Sequence, residues 1–343
     1  MANTDLNVII DDNIPFIKGL LEPYARVRYL AAPDIDEQAV RHADAILIRT
    51  RTRCDKALLG NSRCKFIATA TIGTDHIDAA YCHSRGITAV NAPGCNAPAV
   101  AQYVFGAIMQ LINRPIAGYT LGIVGAGHVG SIVERWARAL DMRVLVCDPP
   151  RCRAEGPENF SSLSDIARAA DIVTLHTPLT HIGPDATYHL VDSTLLASLR
   201  RSPILINAAR GEIVDTHALI DAIDRGYVSH TVIDCWEHEP LPDTALLQRA
   251  DIATPHIAGY SLQGKIRASQ MILDAFTSYF NLPHINVDAP TPAEPARAVT
   301  PTAIVAGYDP SADSNTLKAD PQSFERLRNS YPLRNELPDC HID

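Results

Sequence analysis

TLGIVGAGHVGSIVERWARALD, residues Thr120 to Asp141, decides the reading of this chain. Thr120–Val124 is a short apolar run bounded by glycine, which predicts a buried strand. Ser131–Asp141 carries Ile132, Val133, Trp136 and Leu140 at helical spacing. Between them stands Gly-x-Gly-x-x-Gly, at Gly125, Gly127 and Gly130. A lone glycine triplet says little, but strand, glycine turn and helix together form a dinucleotide-binding arrangement. Gly125 permits the tight turn, Gly127 lets backbone approach a pyrophosphate, and Gly130 lets the helix pack on the strand. His128 and Val129 complete the loop. The helix start then offers free N–H groups and a positive dipole end to phosphate.

Arg143–Cys147 reads as the next strand and ends at Asp148, 18 residues beyond Gly130. An acid there accepts hydrogen bonds from ribose hydroxyls and repels a 2′-phosphate, so the expected cofactor is NAD rather than NADP. Arg151 and Arg153 follow closely and weaken that preference.

Outward from this unit, strands and helices alternate. NVIIDD, Ala43–Thr50, Lys65–Thr71 and Gly86–Gly94 read as strands on the N-terminal side, with a helical stretch such as Asp34–His42 between them. A long helix is expected over Ala97–Asn113. Asp171–His176, Ile204–Asn207, Thr231–Asp234 and Asp251–Thr254 are further strands, and a closing helix covers Gly264–Phe280. Such alternation predicts α/β architecture with parallel sheets. The 343 residues exceed one typical core, so two domains are expected. Proline density rises from Pro283 to Pro310, which reads as a linker or loosely ordered segment, with a short helix near Gln322–Ser330.

Composition narrows the function. The net charge of −9 disfavours nucleic acid and anionic membrane as partners. The eight cysteines contain no C-x-x-C pair and no zinc spacing, so no metal is expected and reduced thiols are the simple reading. The start, MANTDLNVIIDD, lacks a basic and apolar leader, and no apolar run reaches membrane-spanning length; a cytoplasmic protein is expected.

Three residues that follow predicted strands form a candidate catalytic set: Arg210 in INAARGEIVD, Glu239 in DCWEHEP and His256 in ATPHIAGY. Strand C-termini of a parallel sheet share one edge, so residues distant in sequence converge there. Hydride transfer with a nicotinamide needs an anchor for the substrate and one proton acceptor. Arg210 suits the first role and His256 the second, with Glu239 orienting the imidazole and stabilising its protonated form. Taken singly, an Arg-Gly is a common surface turn, Glu239 a loop acid and His256 a structural histidine. Arg49, Arg51 and Arg53 alternate after a strand and would project to one side if extended. They fit either a phosphate or a solvated edge, with Arg49 the first candidate; Lys265 and Arg267 add positive charge.

GIVGAGHVG, HTPL (His176–Leu179), NAARGEIVD, DCWEHEP and PHIAGY together resemble the D-isomer-specific 2-hydroxyacid dehydrogenases over residues 5–282. VIIDDNIP, FIATATIGTDHID, NAPGCNAPAVAQYV, CDPPR and HIAGYSLQGKIRA go beyond the general family pattern, towards a branch whose 2-hydroxy acid carries a phosphate. The resemblance implies two Rossmann-like or flavodoxin-like parallel-sheet domains. Residues 1–94 and 258–282 would form a discontinuous substrate domain, and 95–257 an inserted NAD-binding domain. Residues 283–343 would be a linker and a shortened form of a C-terminal dimerisation domain, to which SFERLRNSYPLRNE is similar. It supports Arg210, Glu239 and His256 as catalytic, and implies Thr50, Thr71 and Tyr260, beside Arg49, as substrate contacts. Asp148, Thr177, Ala208, Ala209, Asp234 and Gly259 would join the glycine loop as cofactor contacts. A homodimer is expected, with closure of the domains on substrate hinged near Ala92–Gly94 and Ala258–Gly259. Two other functions remain open from sequence: a dehydrogenase for a different 2-hydroxy acid, such as glycerate or 3-phosphoglycerate, and an NAD-sensing module without turnover.

Overall fold

The computed structural model describes residues 5–112, 114–290 and 299–337. The chain divides into two compact units, 1–96 with 262–293 and 97–261 with 294–343.

The first unit holds five strands: β1 (Asn7–Asp11), β2 (Arg26–Leu30), β3 (Ala45–Ile48), β4 (Phe66–Thr69) and β5 (Thr88–Val90). All pair in parallel, in the order β2-β1-β3-β4-β5. AILI and FIAT are continuous apolar runs because both faces of a parallel sheet are covered. Alternate side chains divide between two cores. Val8, Ile10, Leu47 and Phe66 face one, which the helix Leu262–Tyr279 closes with Ile272, Leu273 and Phe276. Ile9, Ile46, Ile48 and Ile67 face the other. Each fully buried aliphatic or Phe side chain contributes roughly 1.5–3 kcal/mol.

The second unit holds β6 (Thr120–Val124), β7 (Arg143–Cys147), β8 (Ile172–Leu175), β9 (Ile204–Asn207), β10 (His230–Ile233) and β11 (Ile252–Ala253). These are also parallel, in the order β11-β10-β9-β8-β6-β7. The strand order reverses between β6 and β8, the position at which doubly wound sheets bind nucleotides. The helix Ala97–Leu111 is buried along most of its length and packs on the helix His128–Ala139, with the Phe105 and Trp136 rings 5.8 Å apart.

Two features depart from the sequence reading. RVRYL, β2, is an edge strand with Arg26 and Arg28 turned outward, and its charged alternation hid it. The proline-rich stretch is not loosely ordered where it is described beyond residue 298. Thr300 caps the helix Pro301–Gly307, and Pro310 stands at the start of the helix Ser311–Ala319. Proline at a helix start removes an N–H that would have no helical partner, so these prolines begin helices. A third helix, Phe324–Asn329, lies inside the span expected from sequence. Ile304, Leu317 and Phe324 bury fully in the cores of the second unit. Pro292 and Pro295 lie outside the described residues. No helix is long and apolar enough to cross a membrane among the described residues.

Candidate active site

In the second unit every candidate follows the C-terminal end of a strand: the glycine loop after β6, Asp148 after β7, Thr177 after β8, Ala208–Arg210 after β9, Asp234 and Glu239 after β10, His256 after β11.

The glycine loop divides its tasks sharply. Gly125 has φ +89°, and a Cβ there would stand 2.8 Å from the backbone of His176 and Thr177. A Cβ on Gly130 would meet the Gly125 carbonyl oxygen at 2.1 Å, which seats the helix against the turn. Gly127 faces open space and begins the helix His128–Ala139 without any side-chain cap. Those uncapped N–H groups suit a pyrophosphate. Thr177 Oγ1 is buried without a hydrogen-bond partner. An orphaned hydroxyl beside an open helix start fits a dinucleotide whose polar groups complete it. Asp148 accepts hydrogen bonds from Ala126 N–H at 2.8 Å and Arg151 N–H at 3.0 Å, which fixes its carboxylate at the end of β7. Arg151 is engaged with Glu155 and the Ala126 carbonyl, and Arg153 with Asp185. Neither arginine therefore offers a ready partner for a 2′-phosphate.

The candidate catalytic set lies at the other half of this edge. His256 Nδ1 lies 2.9 and 2.8 Å from the two carboxylate oxygens of Glu239. Glu239 Oε1 also accepts from Trp236 N–H at 3.0 Å. Burial alone would raise the Glu239 carboxyl, but the imidazole of His256, the Arg328 guanidinium and the Trp236 N–H outweigh it and hold the carboxyl below its usual range. His256 itself has φ +56°, a left-handed backbone that costs energy in a non-glycine residue. Asp234 supports that conformation. Its oxygens accept from Thr254 Oγ1 at 2.7 Å, Ile257 N–H at 2.8 Å and Ala258 N–H at 3.0 Å. Since Thr254 donates to Asp234, the Tyr103 hydroxyl 2.7 Å away donates to Thr254. Asp234, expected to touch the cofactor, also bonds within the chain to the loop that carries His256.

Arg210 owes its place to its neighbours. Asn207 binds the Arg210 carbonyl at 2.9 Å and the Ala209 N–H at 3.2 Å, fixing Ala208–Arg210 as one turn. A Cβ on Gly211 would fall 1.9 Å from the carbonyl carbon of Trp236. Glycine after Arg210 therefore lets the β9 turn lie directly on the β10 loop that carries Glu239. Asp234, Glu239, Arg210 and Arg328 all act electrostatically on the Cys235 thiol, which burial keeps protonated. Cys235, Glu239 and His256 offer donor atoms within 4.8 Å of one another. Glu239 and His256 are bonded to each other, and burial holds the Cys235 thiol beside them protonated.

Arg328 is a residue of this site that sequence reading missed. It comes from the helix Phe324–Asn329, and its Nη1 stands 3.4 Å from Glu239 Oε2. The SFERLRN motif held the signal, but nothing local tells which partner an arginine 89 residues away will meet. Tyr260 belongs to the same unit and meets Tyr331 edge-on, with ring centroids 6.0 Å apart. Gly259 lies half-buried between His256 and Tyr260 in the chain.

Arg49, Thr50 and Thr71 stand in the first unit, at the C-terminal edge of its sheet. Arg49 pairs with the fully buried carboxylate of Asp11 at 3.3 Å, and Thr50 is exposed in the turn that follows β3. Thr71 shares a 2.7 Å hydrogen bond with Thr69, which His76 also contacts. The segment carrying Arg49, Arg51 and Arg53 is not extended. The chain turns at once after β3, with Thr52 N–H bonded to the Arg49 carbonyl, and Arg53 pairs with Asp55. A turn breaks the two-residue alternation on which that expectation rested.

The glycine loop, the acid after β7 and the Arg210, Glu239 and His256 cluster define an NAD-dependent dehydrogenase of 2-hydroxy acids. Residues 101–258 match the D-isomer specific 2-hydroxyacid dehydrogenase NAD binding domain. A solved structure of D-lactate dehydrogenase from Aquifex aeolicus with NAD and lactic acid superposes with TM-score 0.70 at 25% identity, covering 80% of this chain and 96% of that one. An erythronate-4-phosphate dehydrogenase of Bacteroides thetaiotaomicron is 46% identical over 338 residues, covering 96% of this chain and 97% of the relative. One from Porphyromonas gingivalis is 41% identical over 350 residues, covering 97% and 94%. The chain belongs to the erythronate-4-phosphate dehydrogenase family of D-isomer-specific 2-hydroxyacid dehydrogenases.

Proposed function

We propose that this protein oxidises 4-phospho-D-erythronate to 2-oxo-3-hydroxy-4-phosphobutanoate with NAD, as a step of pyridoxal 5′-phosphate synthesis. The observation that carries the chemistry is the two-oxygen contact between Glu239 and His256 Nδ1. An Nδ1–H held by carboxylate leaves Nε2 as the neutral acceptor for the substrate hydroxyl proton. Glu239 steadies the imidazolium that results. Arg210, fixed by Asn207 and Gly211, binds the substrate carboxylate and polarises the C2 oxygen. NAD, when bound, supplies the acceptor for the hydride that leaves C2. The glycine loop, with His128 and Val129, holds its pyrophosphate, and Asp148 its ribose. Thr177, Ala208, Ala209, Asp234 and Gly259 line the remainder. Arg49, Thr50, Thr71 and Tyr260 bind the rest of the substrate, with Arg49 on the phosphate. The substrate-domain and NAD-domain division at residues 94/95 and 257/258, a cytoplasmic location and a homodimer complete this reading, with residues 283–343 serving dimerisation.

The test is steady-state oxidation of 4-phosphoerythronate beside glycerate and 3-phosphoglycerate. Preference for the first by 100-fold or more in kcat/KM is expected, on the order of a site built for a polar group. No turnover of it overturns the substrate assignment, and turnover of none of the three favours an NAD-sensing role.

A further inference from the structure

The C-terminal segment concentrates its polar contacts on one short stretch of the second unit. Ala253 N–H bonds Ser314 Oγ at 2.9 Å, and Lys318 Nζ donates to the Ala250 carbonyl. Arg334 lies 4.1 Å from the centroid of the Tyr308 ring and donates to the carbonyls of Ile257 and Ala258. Ser261 pairs with Glu336 at 2.5 Å. Residues 250–261, which contain His256, are therefore held from outside the sheet by residues 314–336. Phe324, 1% exposed, seats the last helix in the core beneath.

From that helix Arg328 reaches the catalytic pair. Its side chain is only 12% exposed, and Nη1 approaches the Glu239 oxygen that also contacts His256. A side-chain hydrogen bond to Tyr260 holds its other flank. A buried guanidinium is costly unless paired, and here its charge is met by Glu239. Around the Glu239 and His256 pair the charged and titratable groups are Arg328, the buried Asp234, Arg210 and the protonated thiol of Cys235, with the Tyr260 phenol behind Arg328.

We propose that Arg328 is a positioning residue for the dehydrogenase reaction: its guanidinium keeps the Glu239 carboxylate ionised and aimed at His256, making the C-terminal segment part of the catalytic machinery. This rests on the acid–base role given to that pair above. A cation beside the pair favours its deprotonated forms, and only the deprotonated imidazole accepts the substrate proton. Removing the cation moves the acid limb of activity to higher pH.

The experiment compares Arg328→Met and Arg328→Lys with wild type in the pH dependence of kcat/KM. For Arg328→Met the acid limb moves up by about one pH unit, which is about tenfold less active form below the limb. KM stays within about threefold, and Arg328→Lys restores most of the shift because it keeps the charge. An unmoved limb overturns the proposal, whether kcat falls through lost stability or KM rises because Arg328 grips substrate. Should Arg328→Met fail to fold, Arg328→Gln carries the same comparison. The titration of the His256 imidazole, followed by NMR in ligand-free protein, moves in the same direction and needs no substrate. It still decides the role of Arg328 if 4-phosphoerythronate proves not to be turned over.

Discussion

At the scale of single residues, chemistry and stability are separable. His256→Gln keeps a polar ring-sized group but cannot take a proton. Turnover falls by about 10²–10⁴-fold, while NAD affinity measured by fluorescence titration stays within about threefold. Retained activity would remove the imidazole from the mechanism. Glu239 carries a pH signature as well. Its folded carboxyl titrates below the ordinary value, so the fold binds fewer protons there than the unfolded chain. The resulting stabilisation is present above the ordinary glutamate range, about 4.3, and is lost as pH falls through the folded value. Urea unfolding of wild type and Glu239→Gln will show a stability gap at pH 6 that narrows below about pH 4. A gap that widened on acidification would reverse the sign given to the pair. Arg210, Glu239 and His256 were open to sequence reasoning as candidates because each residue follows an apolar strand. Arg328 was not, because its partner is set by how a distant helix packs.

At the scale of elements, the glycine turn after β6 makes two substitutions of equal size behave oppositely. Gly130→Ala places a methyl 2.1 Å from the Gly125 carbonyl oxygen, so the helix His128–Ala139 must move off the turn. Loss of about 1–3 kcal/mol or more in unfolding free energy is expected, with NAD binding weakened as a consequence. Gly127→Ala adds its methyl to open space at φ −72°, an ordinary backbone angle. Its melting temperature stays near wild type while NAD affinity drops at least tenfold, because the methyl occupies the approach to the free N–H groups. Paired melting and binding curves check both, and equal thermal loss in the two variants would refute the division of labour. The turn was legible because glycine spacing reports a local conformational need. β2 and the two helices between residues 301 and 319 were not, because their signals are weak locally and their apolar faces acquire meaning only against the surfaces they cover.

For the molecule as a whole, native mass spectrometry of the purified protein is expected to give twice the chain mass, with NAD retained in part of the population. A monomer at micromolar concentration would count against the dimer and against a dimerising role for the C-terminal residues. That segment connects this scale to the others. Its helices close the second unit, its Arg334 bonds the loop that carries His256, and its Arg328 meets Glu239.

Taken alone, the sequence determined the parallel α/β architecture and the dinucleotide turn, and it singled out Arg210, Glu239 and His256 as candidates. Apolar periodicity and glycine spacing are local properties, and strand ends of a parallel sheet share an edge by construction. Tertiary structure decided the rest. It bonded Asp234 to the His256 loop, turned the chain at once after β3, ordered the prolines after residue 300 into helices and brought Arg328 to Glu239. Each of these depends on which surfaces meet, and pairings between residues far apart in the chain leave no periodic trace in it.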